Sequence, residues 1–161
     1  MKNFNHTDAE SLSQAAGILK EGQQNARIIA GGTDLLSVLK HKLEPDYPET
    51  IVNIKSIEGL DHIVEDEDGL KIGATAKLCD IASSPLIKQE YGALADAARS
   101  VATPLIRNLA TISGNLCQEV RCWYYRYPDE IGGRIQCLRK GGESVRFLRE
   151  FHSYSSVIPQ H

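Results

Sequence analysis

The alternation of apolar and polar positions predicts a small α/β unit in the first third of the chain. Thr7 and Glu10 have the T-x-x-E spacing of a capping box, and the positions after them recur at helical spacing. The recurring positions are Leu12, Ala15, Ala16 and Leu19. Apolar runs at 27–30 and 50–54 predict two strands, and the apolar stretch 35–39 predicts the start of a helix between them.

The pattern changes after about residue 57. Short alternating runs at 62–65 and 70–73 flank an acidic turn and predict a β-hairpin. Ser84 and Thr103 are each followed by proline, which is the signature of a helix cap with proline in the first helical position. The alanine-rich stretch 92–102 predicts a helix.

Composition and charge narrow the classes of function. The chain has 161 residues, 42% of them hydrophobic, and a net charge of −3. A negative chain is a poor partner for nucleic acid or an anionic membrane surface, and no apolar run reaches the roughly 20 residues of a membrane span. We expect a cytoplasmic protein with neither kind of partner. Its four cysteines are then expected to be thiols or metal ligands rather than disulfides.

The first candidate site is the Gly-Gly turn between the predicted strand and the predicted helix. Glycines at 31 and 32 let the backbone approach a ligand closely, and successive N–H groups in such a turn form an anion-binding nest. A pyrophosphate is the natural guest of such a nest beside a helix N-terminus. Taken alone, the motif favours the alternative of a plain turn capped by Thr33.

The second candidate is the stretch 107–116, which combines small residues with hydrogen-bonding side chains. Residues 110–115 are interpreted as a strand entering a turn, with Gly114 at a positive φ and Thr111 and Asn115 free to bind a ligand. The alternative is a tight turn in which Asn115 satisfies its own backbone.

Cysteines at 117, 122 and 137 form the third candidate, since thiolates bind zinc and iron–sulfur clusters. Cys79 lies in a predicted helix and is interpreted as a small buried hydrophobe. Two or three unpaired thiols remain an equal alternative. No nucleophile, base and acid arrangement can be argued from the sequence, so no catalytic residue is predicted.

Three motifs in order resemble the FAD-binding subunit of the molybdenum hydroxylases, which include the xanthine dehydrogenases and the medium subunits of carbon monoxide dehydrogenase. They are A-G-G-T-D-L at 30–35, I-G-A-T-A-K-L-x-D-I at 72–81 and R-N-L-A-T-I-S-G-N-L at 107–116. The resemblance covers roughly residues 1–140 and implies an α+β, two-subdomain FAD-binding fold. It implies a small α/β subdomain at 1–56, an incomplete mixed or antiparallel sheet subdomain at 57–142 with a cysteine-rich loop at 117–137, and a divergent tail at 143–161.

The resemblance also implies roles for particular residues. FAD is bound without a covalent link, and the glycine loop holds its pyrophosphate by backbone N–H groups. The loop residues are Ala30, Gly31, Gly32, Thr33, Asp34 and Leu35. The residues expected along the pyrophosphate and the flavin are Ala110, Thr111, Gly114 and Asn115.

The implied function is electron transfer within an oxidoreductase complex rather than a complete enzyme. The flavin passes electrons between the 2Fe–2S centres of a partner subunit and an external carrier, while a molybdenum-cofactor subunit carries the substrate chemistry. The family has a C-terminal domain that this sequence is expected to lack. A reading-frame shift near Glu143 and a naturally short or split chain are the two explanations considered.

The segment from Cys117 to Arg126 is similar to the β subunit of 4-hydroxybenzoyl-CoA reductase. In that branch a loop with four cysteines binds a 4Fe–4S cluster, and Cys122 and Cys137 match the first two ligand positions. The other two ligands are missing, and Ser113 stands where the family has glycine. The alternatives to the FAD subunit are an iron–sulfur or metal-binding module and a truncated, flavin-free remnant, which would expose apolar surface.

Overall fold

A parallel sheet forms the first layer of the fold. In the computed structural model of the chain, which describes residues 2–43, 47–118 and 126, its strand order is β1-β3-β2. The strands are β1 (Asn5–Asp8), β2 (Ala26–Ile29) and β3 (Thr50–Asn53). Thr50 of β3 lies opposite Asn5 on one side and Ala26 on the other, so β3 is central.

Helices join these strands, as parallel pairing requires. Helix α1 (Leu12–Gly22) and a 3-10 turn (Gln23–Asn25) connect β1 to β2. Helix α2 (Leu35–Lys40) follows β2, as the sequence predicts. The order is therefore a βαβ crossover followed by a short helix and the central strand.

Helix α1 begins differently from the prediction. Thr7 lies in β1, and the N-cap is Ser11, whose Oγ accepts a hydrogen bond from the Gln14 N–H at 3.2 Å. Gln14 Oε1 in turn accepts from the Glu10 N–H at 2.7 Å. The T-x-x-E interpretation was wrong because β1 occupies the residues that would have started the helix.

The first apolar core lies between the parallel sheet and α1. Leu12, which was predicted on the buried face of α1, is 63% exposed, and Ile18 packs against the core instead. The buried members are Ala9, Ala15, Ala30, Val52, Ile54 and Ile57.

The second unit contains the predicted hairpin and a group of short helices. Strands β4 (Ile63–Asp66) and β5 (Gly69–Ile72) pair in antiparallel register. The helices are α3 (Leu78–Ser83), α4 (Pro85–Glu90), α5 (Gly92–Ser100), α6 (Pro104–Arg107) and α7 (Ile112–Leu116). Their separate core consists of Ala76, Leu78, Ile81, Ile87, Ala95, Ala98 and Ala110.

The two cap-and-proline predictions are confirmed. The Ser84 hydroxyl accepts from the Ile87 N–H, and the Thr103 hydroxyl accepts from the Ile106 N–H, each at 3.4 Å. Proline stands in the first turn of α4 and of α6. No helix in the described part of the chain is long and apolar enough to cross a membrane.

Candidate functional site

A cavity of about 1070 Å³ opens where the two units meet. Its first wall is the end of β2 and the loop before α2, and its second wall includes residues 110, 111 and 113–115. All the cofactor-binding residues predicted from the sequence line it, so the structure brings the two motifs together. They are Ala30, Gly31, Gly32, Thr33, Asp34, Leu35, Ala110, Thr111, Gly114 and Asn115.

Gly31 is where the two walls touch. A Cβ built on this residue would collide with the carbonyl oxygen of Leu109 and would lie 2.9 Å from the Cα of Ala110. These neighbours are backbone atoms, which cannot rotate away. Only glycine at position 31 therefore lets the two motifs approach this closely.

The glycine loop leaves several backbone donors unused. Gly32 has φ +71°, a left-handed conformation that turns the chain sharply after β2. The N–H groups of residues 31–34 donate no backbone hydrogen bond to any residue that the structure describes. The loop therefore has the consecutive amides that the predicted nest requires, because such amides can bind an anion.

The second wall is fixed by backbone hydrogen bonds to the motif at 72–81. The N–H of Ile112 donates to the carbonyl of Ala76 at 2.9 Å, and the N–H of Leu78 donates to the carbonyl of Ala110 at 3.0 Å. Thr111 is 3% exposed and pairs as an isolated bridge with Lys77. The middle motif therefore acts as the platform that positions the third one.

The prediction that residues 110–115 are a strand entering a turn, with Gly114 at a positive φ, was wrong, because Ile112–Leu116 form helix α7. Gly114 lies inside α7 and does not have a positive φ. The hydroxyl of Thr111 caps α7 by accepting from the Gly114 N–H at 3.3 Å, and a Cβ on Gly114 would lie 3.0 Å from that hydroxyl oxygen. The glycine thus leaves room for the capping side chain instead of making a turn.

A third part of the lining, the connection between α5 and α6, was not predicted from the sequence. Val101 and Ala102 line the cavity, and Ala102 has φ +43° although it is not glycine. Arg107 Nη1 donates to the carbonyls of both residues, at 2.7 Å and 3.0 Å. No local pattern predicts this arrangement, because a side chain further along holds the strained backbone.

A largely buried ion pair joins the glycine loop to Arg126. Arg126 Nη1 and Nη2 donate to the two carboxylate oxygens of Asp34 at 2.8 Å and 2.9 Å. The two side chains are 14% and 17% exposed. The sequence gives no sign of this contact, since 92 positions separate the partners.

The predicted metal ligands Cys122 and Cys137 lie outside the described residues. Cys117 is exposed and lines the cavity. Cys79 is partly buried, and that burial is the main factor that raises the pKa of its thiol, with a further contribution from a hydrogen bond to Asp80. Within residues 2–43 and 47–118 together with 126, no group of three or more His, Cys, Asp or Glu side chains could hold a metal ion.

Comparison with known proteins gives a consistent result. Residues 2–122 match the FAD binding domain in molybdopterin dehydrogenase. The chain is 37% identical over 117 residues to the nicotinate dehydrogenase FAD-subunit of Eubacterium barkeri, covering 72% of this chain and 39% of that one. It is 36% identical over 126 residues to the aldehyde oxidoreductase FAD-binding subunit PaoB of Escherichia coli K12, covering 78% and 38%.

A solved structure shows the same fold. A carbon monoxide dehydrogenase of Hydrogenophaga pseudoflava that lacks the Mo-pyranopterin moiety of its cofactor superposes with a TM-score of 0.68 at 31% identity. The match covers 71% of this chain and 39% of that one. This confirms the mixed helix and strand fold that was predicted. The chain spans about two fifths of the length of these similar proteins.

Proposed function

The chain belongs to the family of FAD-binding domains of molybdopterin dehydrogenases, and on that basis we propose that its cavity holds FAD between the two units. The observation that carries this proposal is the convergence of both glycine-containing motifs on one cavity. Ligand pockets in proteins commonly measure about 300–1000 Å³. A volume of about 1070 Å³, just above that range, suits an extended dinucleotide.

The residues present fit the pyrophosphate of FAD. The four amides of 31–34, which have no backbone partner among the described residues, would bind its oxygens, and Gly31 and Gly32 keep side chains away from that position. We propose that Ala30 and Leu35 complete this half of the site, with Ala110, Thr111, Gly114 and Asn115 along the pyrophosphate and flavin on the other half. Ser113 also lines the cavity, where its side chain takes the place of the family's glycine.

Bound FAD would supply reversible electron transfer, and the chain's own residues would position it. We propose that the chain serves as the flavin site of a molybdenum hydroxylase-type complex, with a molybdenum-cofactor subunit and a 2Fe–2S subunit as partners. The names of the similar proteins support this, since several are FAD subunits or medium chains of dehydrogenases. We also propose the subdomain boundaries given above, 1–56 and 57–142.

Absorption spectroscopy tests the FAD proposal. The purified chain is titrated with FAD, filtered, and the retained flavin is released and quantified. We expect about one flavin per chain. A chain that retains no flavin would overturn the proposal.

A flavin-free docking role is the competing candidate, and one observation favours it. Leu105, Leu109 and Leu116 are between 61% and 78% exposed, which is apolar surface that a partner protein could cover. The same FAD titration distinguishes the two candidate functions, because only the FAD-binding function predicts retained flavin.

We further propose, from the sequence alone, that Cys122 and Cys137 belong to the 4Fe–4S ligand set of the 4-hydroxybenzoyl-CoA reductase branch. Iron and sulfide analysis of anaerobically purified chain tests this. Cys122→Ser should lower the iron content, and Cys79→Ser, in helix α3, is the matched control that should not. Absence of iron from the parent chain would exclude the cluster.

A further inference from the structure

We propose that Arg126 is a positioning residue for the glycine loop and that its charge offsets Asp34 beside the pyrophosphate. This inference rests on the proposed FAD function. It concerns a residue outside the two motifs that line the cavity, and outside the residues 2–122 that match the family.

The first observation is the geometry of the pair. Both guanidinium nitrogens of Arg126 meet both carboxylate oxygens of Asp34, at 2.8 Å and 2.9 Å. A two-pronged contact fixes direction as well as distance, because the guanidinium is a rigid planar fork. Both side chains are mostly withdrawn from water, so salt screens this pair less than a surface pair.

The second observation is that the side chain of Asp34 does not cap helix α2. Asp34 stands at the N-cap position of α2, where an aspartate usually accepts a hydrogen bond from an N–H of the first turn. Its side chain makes no such bond. The carboxylate is instead committed to Arg126, so the orientation of the loop end depends on a residue 92 positions away.

The third observation is the charge of the cavity. Among the described residues that line it, the charged side chains are Arg27 and Asp34. A pyrophosphate is anionic, and an uncompensated carboxylate in the lining would repel it. Pairing with Arg126 offsets the one negative charge of the lining and leaves the loop amides favourable for an anion.

The experiment compares FAD dissociation constants of the full chain and four variants. Arg126→Gln should weaken FAD binding by about 30-fold or more, which is the lower end of the cost of removing one partner from a buried charge pair. Arg126→Lys should be intermediate, because lysine keeps the charge and loses the fork. Asp34→Asn with Arg126→Gln should recover to within a few-fold of the parent. Lys71→Gln, which removes the cation of an exposed ion pair in the hairpin, should bind like the parent.

Two further measurements distinguish an electrostatic role of Arg126 from a purely structural one. Added salt should narrow the gap between Arg126→Gln and the parent, since it screens the exposed carboxylate. Amide hydrogen exchange of the FAD-free chain should be faster at residues 34–38 in Arg126→Gln, where the N–H of Val38 donates to the carbonyl of Asp34. Far-UV circular dichroism checks that each variant is folded.

The outcomes are distinct. Parent-like FAD affinity in Arg126→Gln would overturn the inference, and a double variant as weak as the single one would overturn its electrostatic part. If the parent itself binds no FAD, the proposed function fails, and hydrogen exchange decides on Arg126 separately. Unchanged exchange at 34–38 would then refute its positioning role, and faster exchange would support that role alone.

Discussion

Gly31→Ala tests the contact between the two motifs most directly. The added Cβ would meet the carbonyl of Leu109 and lie 2.9 Å from the Cα of Ala110, and neither is a flexible side-chain end. Overpacking of this kind costs about 1–3 kcal/mol, and backbone obstacles place it near the upper end. Gly31 has no positive φ, so the loss of a glycine from the unfolded state returns about 0.4–1 kcal/mol. We expect a net destabilisation of about 2 kcal/mol.

Urea denaturation followed by far-UV circular dichroism measures this change. With an m-value of about 2 kcal/mol per M, the midpoint should fall by about 1 M. The matched control is Gly17→Ala in α1, where a Cβ meets nothing within 4 Å. That variant should be more stable by about 0.5–1 kcal/mol, because alanine is the better helix former.

The same variants separate stability from binding. Relief of the clash requires the glycine loop and Leu109 to move apart, which disturbs both walls of the cavity. Gly31→Ala should therefore lose at least about tenfold in FAD affinity, the factor that corresponds to 1.4 kcal/mol, while Gly17→Ala keeps the parent's value. A parent-like urea midpoint for Gly31→Ala would refute the close approach of the two motifs.

Three other changes have defined outcomes. Gly32→Val should abolish flavin retention while the chain stays folded. The control Gly59→Val has a similar positive φ and open space around it, so it should cost similar backbone strain and leave flavin retention intact. Equal flavin retention in the two variants would contradict the nest. Thr111→Val should lower the urea-derived stability by about 1 kcal/mol through loss of the α7 cap, and an unchanged midpoint would show that the cap is dispensable. The hydrogen bond from the Tyr91 hydroxyl to Glu65 raises the pKa of Tyr91 above 10.0, so its stabilisation is present below pH 10 and is lost as the pH rises through the folded-state value. The difference in absorbance at 295 nm between the parent and Tyr91→Phe, followed against pH, should have its midpoint above pH 10.0. A midpoint at or below pH 10.0 would contradict the raised pKa of Tyr91.

Local signals in the sequence predicted the hairpin and two helix starts of the second unit. The hairpin β4–β5 and the starts of α4 and α6 follow from turn and cap chemistry that acts within four residues. The glycine loop was also recognisable, because a strand, two glycines and a helix follow one another in sequence. These predictions succeeded because the residues that determine each feature are close to it in the sequence.

The failures have a common physical origin in contacts distant along the chain. Strand β1 has the polar sequence Asn-His-Thr-Asp and forms because β3 supplies its partner. Thr7 therefore could not cap α1. Gly114 is the exception, because it is required by the cap of its own helix, three residues away, whereas the position of that capping Thr111 depends on a distant bridge to Lys77. The Asp34–Arg126 pair follows the same rule at the longest separation.

The central place of β3 has a consequence for the order in which the chain can fold. Strands β1 and β2 do not pair with each other, and both ladders of the parallel sheet run through the four residues Thr50–Asn53. A nascent chain that has emerged only as far as Pro48 holds two unpartnered strands. The next few residues then complete both ladders, so the sheet and the glycine loop that follows β2 form together only once β3 is available.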